Sequence, residues 1–592
     1  MKKILSGNEA IARGAYEAGC VVACAYPGTP STEILENMIT YGEINSSWAP
    51  NEKVALEVVI GASFGGGRAL AAMKHVGVNV AADPLMTLSY TGVNGGLVLV
   101  EADDPECHSS QNEQDNRHYA RFAKIPMLEP SDSHECKEFT RLAFQLSEEY
   151  DTPVILRTTT RISHSKSIVE LDERITGLPS PKLVKNAAKQ VMLPVNARVR
   201  HHVVEQRNAT LSERAAGMDI NRMKLRDTSI GVITSGVCYQ YVREVLPEAS
   251  TLKLGMVYPL PHSLIREFAS KVDRLFVIEE LDPFIEEQVK IMGIQATGKD
   301  IISVCGELTP GRIRSALASV GVVSRHEASF AAESDEKLPA RPPNMCPGCP
   351  HRSVFYALNR LNAYVCGDIG CYTLGFLPPL SAMDSCVCMG ASMGMAAGVM
   401  KVVSEEEQKR VVAVIGDSTF LHTGVNGLMD MVYNQSTATV IILDNRITAM
   451  TGRQDNPASG YTLMNDSTHC VDLPLLCRSL GIERVRTINP YDLEQTRVTL
   501  REEMNVPELS VIITDKPCVL VKRKGVFIKG DVLEADQEKC AGCRACLSLG
   551  CPAIEWRLAD DEKGKAYINP LLCVGCDVCR QLCKFDAIGR IK

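Results

Sequence analysis

Four things are scarce or not expected in this chain, and each removes a class of function. Basic charge is not in excess: the formal net charge is −8, so the sequence carries no electrostatic footprint for nucleic acid. No run of about 18 apolar residues occurs, so no membrane-spanning helix is expected. No secretory leader is expected either. Met1-Lys2-Lys3 offers a basic start, but ILSGNEA follows where an apolar stretch of about 7–15 residues would be needed. Disulfides are not expected either. The 23 cysteines are an odd number in a long chain without such a leader, which argues for reduced thiols and metal ligation. A cytoplasmic protein in an anaerobic or low-potential setting is expected.

At 592 residues the chain is too long for one core. Residues 1–170 alternate short apolar strands with helical stretches, as in GCVVACAYPGTP, GGLVLVEAD and TPVILRTT, and predict a parallel α/β domain. The stretch NEKVALEVVIGASFGGGRALAAM reads as a helix with glycine-rich packing. Residues 171–225 are polar and read as a helical connector. The strand rhythm restarts over 226–330 with SIGVITSG, TLKLGMVYPLP and DRLFVIEE, a smaller α/β domain. AAESDEKLPARPPNM, residues 331–345, reads as a linker. A third α/β domain covers 340–525, with strands at RVVAVIGD, ATVIILDN and LSVIITD, and a cysteine-rich tail covers 530–592.

The tail contains the one internal repeat. Its first block is Cys540-x2-Cys543-x2-Cys546-x4-Cys551-Pro552 and its second is Cys573-x2-Cys576-x2-Cys579-x3-Cys583. Three thiolates at two-residue gaps wrap one cubane, and the fourth thiolate of each block ligates the other cluster. This assigns Cys540, Cys543, Cys546 and Cys583 to one [4Fe–4S] cluster. Cys551, Cys573, Cys576 and Cys579 go to the second. Zinc is the competing reading, but zinc sites use paired CxxC units, not two triplets with a trailing cysteine. The tail resembles two-cluster bacterial ferredoxins. The extra residue before Cys551 lengthens one loop without removing a ligand.

The third domain holds GDSTFLHTGVNGLMDMVYNQSTATVIILDN. Gly416-Asp417 follows one apolar strand and Asp444-Asn445 follows the next, which resembles the signature of thiamine diphosphate (TPP) enzymes. The chemistry requires such a pair. A diphosphate is held through a hard divalent cation, and Mg²⁺ takes oxygen ligands in octahedral geometry from few protein groups. Asp417 offers a carboxylate, Asn445 an amide oxygen and Ile447 a backbone carbonyl. Ser418 and Asp444 depart from the pattern, but neither is an expected ligand. TPP also needs a glutamate at N1′ of its aminopyrimidine, and Glu52 is the candidate. It would hold a proton at N1′ so that the 4′-amino group can deprotonate C2. Glu57 is the competitor, and a solvated helix face is the plain alternative for both.

With the tail attached, the chain resembles the 2-oxoacid:ferredoxin oxidoreductases over nearly its whole length. LSGNEAIARGAYEAG, AYPGTPSTEI, SSQNEQDNRHYARFAKIPMLEPSD, CPGCPHR, GDIGCYTLG and GDSTFLHTG carry the resemblance. It implies an α/β multidomain fold: a pyrimidine-binding domain at 1–170, a transketolase-C-like domain at 226–330, a pyrophosphate-binding domain at 340–525 and a ferredoxin-like domain at 530–592. It implies CoA-dependent oxidative decarboxylation of an arylpyruvate, with CO2 and aryl-acetyl-CoA as products and an external ferredoxin as acceptor. It also implies a smaller β subunit in an α2β2 assembly, because no segment here resembles the family's remaining catalytic (gamma-type) domain. Thr29 of the YPxTP loop is implied at the substrate carboxylate, against the plain reading of a helix-capping threonine, and Arg117 is a second candidate there. Cys346, Cys349, Cys371 and Cys518 stand where pyruvate-type relatives hold a third cluster, against the plain reading of buried thiols. GDIGCYTLG is alternatively a TPP contact. Other 2-oxoacid substrates, a non-redox TPP decarboxylase and an electron carrier that has lost TPP remain as alternatives.

Overall fold

The computed structural model describes residues 1–324, 342–521, 523, 526, 527, 529–558 and 564–590. The proline-rich stretch expected as a linker lies largely outside them. The chain forms two compact units, residues 1–334 and 335–592. Among the described residues no helix is long and apolar enough to cross a membrane.

The first unit is built on a seven-stranded sheet in the order Met256–Tyr258, Met127–Leu128, Val154–Thr159, Leu97–Asp103, Ala69–Lys74, Val22–Ala25, Asn45–Trp48. All neighbours pair parallel except the first two. Parallel strands covered on both faces read as continuous apolar runs, and every residue of Leu97–Asp103 and Val154–Thr159 is buried. Ala69–Lys74 escapes that reading. Its sequence ALAAMK is alanine-rich, poor in the β-branched residues that mark strands, and follows three glycines. The stretch read as helix plus glycine-rich packing is therefore a helix, Glu52–Phe64, followed by a central strand.

A second, four-stranded sheet runs Arg274–Ile278, Asp227–Ser235, Ala249–Leu254, Arg222–Lys224, the last strand antiparallel. The two sheets are not separate modules. TLKLGMVYPLP breaks at Gly255 into Ala249–Leu254, which stays in the smaller sheet, and Met256–Tyr258, which crosses to the larger one. One apolar cluster spans both, from Leu56 and Met73 to Leu252 and Phe268. The expected connector holds a 22-residue helix, Pro194–Ala215.

The second unit carries a five-stranded parallel sheet in the order Tyr364–Cys366, Val411–Gly416, Thr439–Asp444, Ser510–Asp515, Arg484–Ile488. The cysteine-rich tail forms two small antiparallel ribbons, Leu533–Ala535 with Ile588–Arg590 and Ile554–Leu558 with Gly564–Ile568. Its two cysteine blocks share one backbone course. Gly542 and Gly575 have φ of 66° and 70°, and Arg544 and Asp577 have φ of 61° and 62°. The third cysteine of each triplet sits in a helical turn, Cys546 in Ala545–Leu549 and Cys579 in Val578–Leu582. The second turn runs directly into Cys583. The first ends on Gly550 at φ 63°, and that glycine is the extra residue before Cys551.

Candidate functional site

The pyrophosphate half of the site follows from strand register. Val411–Gly416 and Thr439–Asp444 are parallel neighbours with Gly416 opposite Leu443, so Asp417 and Asp444-Asn445 emerge side by side at the carboxyl edge of the sheet. Ligands of open α/β sheets bind at such edges. A side chain at position 416 would meet the Tyr372 ring at 2.7 Å, which requires glycine. Asp417 is 2% exposed and accepts a hydrogen bond from Asn456 Nδ2 at 3.0 Å. Burial and the neighbouring Asp444 push its carboxyl well above the usual range. Asp444 is raised as well, by burial and by Asp515, so carboxyl groups crowd this strand edge, as expected of a divalent-cation site. Asn445 Oδ1 accepts from Ile447 N at 3.1 Å, and Arg446 between them takes φ 60° to make the turn. The oxygen donors present here fit a hard divalent cation such as Mg²⁺.

His351 was not singled out from the sequence, and it supports this turn. Burial alone lowers it to about 4, so it is neutral, and its Nε2 accepts from Asn445 Nδ2 at 3.1 Å. Its Nδ1 is buried with no partner among the described residues. No sequence signal beyond its place after CPGC marked it. Asp368 of GDIG, also missed, is fully buried. It accepts from Gly390 N at 2.8 Å and Ser392 N at 3.1 Å, which anchors the start of the helix Ala391–Met400.

Cys346, Cys349, Cys371 and Cys518 all line one cavity of about 180 Å³, together with His351 and Asn445. Burial first, and then the neighbouring thiols, push Cys349 up to about 12 and Cys371 to about 11, and Cys518 is raised as well. Two contacts connect this wall to the tail. Buried Arg352 donates to the carbonyls of Met345 (2.6 Å), Cys346 (3.2 Å) and Leu549 (2.7 Å). Tyr491 donates to the Gly348 carbonyl at 2.7 Å, and its own carbonyl accepts from Gln581.

In the tail, Cys540, Cys543, Cys546 and Cys583 surround one small cavity. Burial and these three partner thiols push Cys546 up to about 11. Burial, with Cys551 and Cys573 beside it, does the same to Cys576. Cys540, Cys543, Cys546 and Cys583 thus lie around one cavity, and Cys551 and Cys573 lie beside Cys576. Among the described residues the only trio of ligand atoms all within 4.8 Å of one another is Asp115, His118 and Asp282. No three cysteine sulfurs approach that closely, whereas a zinc tetrahedron with bonds of about 2.3 Å would draw them closer still. Asp115 is held on both oxygens by Arg117 and is not a vacant ligand.

In the first unit Glu52 opens the helix Glu52–Phe64, and Asn51 caps that helix by accepting from Val54 N at 2.9 Å. Glu52 is 5% exposed and lies against Gly77: a Cβ there would stand 2.6 Å from its Oε1. Glu57 is exposed and ion-paired with Lys53. Thr29 is half-buried and caps nothing, since the following helix, Thr32–Met38, starts after Ser31. Arg117 is neither on the surface nor available to a substrate. It is 1% exposed, bonded to Asp115 and Glu279 at 2.5 Å and to the carbonyls of Glu280 and Asp282.

Comparison with known proteins adds the following. A profile described as pyruvate flavodoxin/ferredoxin oxidoreductase, thiamine diP-binding, matches residues 13–221. A second, thiamine pyrophosphate enzyme, C-terminal TPP binding domain, matches residues 368–514. The chain is similar to the indolepyruvate oxidoreductase subunit IorA of Pyrococcus horikoshii, at 39% identity over 100% of this chain and 97% of that one. It is similar to the IorA subunit of Thermococcus kodakarensis at 40%, with the same coverage. The 2-oxoglutarate synthase subunit KorA of Methanothermobacter thermautotrophicus is 26% identical over 46% of this chain and 86% of its own.

Proposed function

We infer the function of this chain from its membership: it belongs to the family of IorA subunits of indolepyruvate oxidoreductase. It is an oxidoreductase subunit with thiamine-diphosphate-binding regions, and it works with a partner chain. On this reading it is the α subunit of an indolepyruvate:ferredoxin oxidoreductase. The reaction converts indolepyruvate and CoA to indoleacetyl-CoA and CO2, and passes two electrons, one at a time, to ferredoxin. The β subunit, in an α2β2 assembly, supplies the remaining catalytic domain.

Thiamine diphosphate, when bound, supplies a carbon nucleophile and an electron sink at the keto carbon. The residues of this chain supply the rest. Asp417, Asn445 and the Ile447 carbonyl would hold a Mg²⁺, which would supply the positive charge to bind a diphosphate. His351, kept neutral by burial, accepts from the Asn445 amide nitrogen and so fixes the orientation of that amide. Glu52 would hold a proton at N1′ of the aminopyrimidine, and Gly77 gives its carboxylate room.

One observation carries the redox half of this reading: the four thiols of Cys346, Cys349, Cys371 and Cys518 share a cavity wall with Asn445. We propose a third [4Fe–4S] cluster in that cavity as the first acceptor of electrons. Tyr491 neighbours Cys349 and Cys518 of that cavity and Cys576 of the second block. The cluster on Cys551, Cys573, Cys576 and Cys579 is therefore second in line. The cluster on Cys540, Cys543, Cys546 and Cys583 is last.

The test is anaerobic co-expression with the β subunit, followed by CoA-dependent reduction of methyl viologen with a panel of 2-oxoacids. Indolepyruvate is expected to give the highest kcat/KM. Preference for pyruvate or 2-oxoglutarate would replace the substrate assignment, and reduction that ignores CoA would remove the acylating step.

A further inference from the structure

The substrate of the reaction just proposed is a carboxylate, and neither residue singled out from the sequence supplies a free cation to receive it. Thr29 is neutral. The cations near the carboxyl edge of the seven-stranded sheet are Arg117, Arg157, Arg161 and Lys74. Arg117 is saturated by Asp115 and Glu279; Arg157 is paired with Asp103 and Glu129, its Nη2 lies 3.8 Å from Asp115, and at 1% exposure it is sealed from solvent. Arg161 holds Glu307 with two nitrogens, at 2.7 and 2.5 Å. Lys74 differs. It is the last residue of the strand Ala69–Lys74, it is 8% exposed, and among the described residues no carboxylate lies within 4.0 Å of its amine.

What surrounds Lys74 is the loop expected at the substrate. Its Nζ donates to the Ser109 carbonyl at 2.5 Å and to Ser109 Oγ at 3.2 Å, which uses two of its three N–H bonds. Ser109 Oγ in turn reaches the Thr29 carbonyl at 3.4 Å. A side chain at Gly28 would stand 3.1 Å from Lys74 Cβ, so the glycine of the PGT turn is what lets that loop close over the lysine stem. Ser109 is exposed, so the amine lies just beneath a solvent-reachable mouth. Lys74 also precedes the helix His75–Thr91, whose first turn carries Gly77, the residue against which the Glu52 carboxylate packs. The lysine, the Thr29 loop and Glu52 thus converge on one strand end.

We propose that Lys74 is the cation that binds the carboxylate of the 2-oxoacid substrate, with Ser109 as the polar group it holds until substrate arrives. This rests on the 2-oxoacid reading above. A buried ammonium without a counter-ion is costly to keep charged. An incoming carboxylate removes that cost, while a neutral analogue gains nothing from it. Burial lowers the Lys74 amine to about 8, opposed by Asp104 and Cys107, while His75 is the other titratable neighbour. Asp104 is occupied by Ser109, Ser110 and Thr160, and so stays an acceptor nearby without pairing the lysine.

The experiment uses the reconstituted complex with the β subunit, TPP and Mg²⁺. Lys74→Met is expected to raise KM for indolepyruvate on the order of 10–100-fold, the range for loss of a charge-assisted hydrogen bond, with kcat and KM for CoA changed far less. Lys74→Arg should recover much of the affinity. In the wild type kcat/KM should fall above pH about 8 as the amine deprotonates, and in Lys74→Arg that limb should move to higher pH. Independently of turnover, calorimetry with indole-3-propionate should show binding to the wild type and a matching loss in Lys74→Met, while the corresponding amide binds both alike. Unchanged KM and unchanged propionate binding in Lys74→Met, in a complex whose wild type turns over indolepyruvate, overturn the proposal. A wild-type complex that oxidises no 2-oxoacid overturns the functional reading instead.

Discussion

At the scale of single residues, burial separates candidates that the sequence left level. Glu52 and Glu57 lie five apart on one helix, but the first is buried against Gly77 and the second is paired with Lys53 at the surface. Glu52→Gln is therefore expected to keep TPP binding and lose on the order of 10²–10⁴-fold in kcat, while Glu57→Gln stays near wild type. Calorimetry and viologen reduction on the same preparations check both. Asp417→Asn should weaken Mg²⁺-dependent TPP binding at least about tenfold, again by calorimetry. Arg117 illustrates what spacing cannot convey. Its partners Glu279 and Glu280 stand more than 160 residues away, so its committed role was invisible in sequence. Arg117→Met leaves Asp115 and Glu279 buried without their cation. It should cost about 3–5 kcal/mol, read as a lower denaturation midpoint. Lys74 escaped notice for a related reason, since a lysine inside an alanine-rich stretch looks like helix surface until the strand around it is known.

At the scale of elements, legibility followed composition. The β-branched runs VVAVIG, TVIILD and SVIITD stand out and are strands, and their ends delivered Asp417 and Asn445 to one edge. The cysteine spacing was more informative still, because equal spacing goes with equal backbone: both blocks repeat the same pair of positive-φ positions. What spacing did not convey is how the tail attaches. Gly348, in the CPGC turn, has φ 68°, and a side chain there would meet Val574 Cγ2 at 2.0 Å. Gly348→Ala should force this turn away from the second cysteine block. The expected result is slower transfer to viologen with normal TPP content, and a weaker magnetic interaction between reduced clusters by EPR. An unchanged EPR spectrum and unchanged rate would show that the contact is not on the electron path.

At the scale of the whole molecule, the iron content per chain measures how many of the 23 cysteines work as ligands. Three cubanes are expected after anaerobic purification. Substitution of Cys371 by serine should remove one cubane's worth of iron and leave the tail loaded. The wild type with iron for only two would return Cys346, Cys349, Cys371 and Cys518 to the status of buried thiols. The domain plan, by contrast, was only partly legible, because apolar runs announce strands but not the sheet they join. Met256–Tyr258 pairs with Met127–Leu128, so a segment that reads as part of the smaller α/β region completes the larger sheet. Cutting the chain near residue 225 would consequently produce a fragment whose Met127–Leu128 edge is bare and apolar, an invitation to strand-to-strand aggregation. A fragment that continues through Tyr258 but lacks Arg274–Ile278 would leave a second bare edge, on the strand Asp227–Ser235. Anyone dissecting this protein, or grafting its thiamine half onto another scaffold, has to carry residues 1 to about 320 as one inheritance.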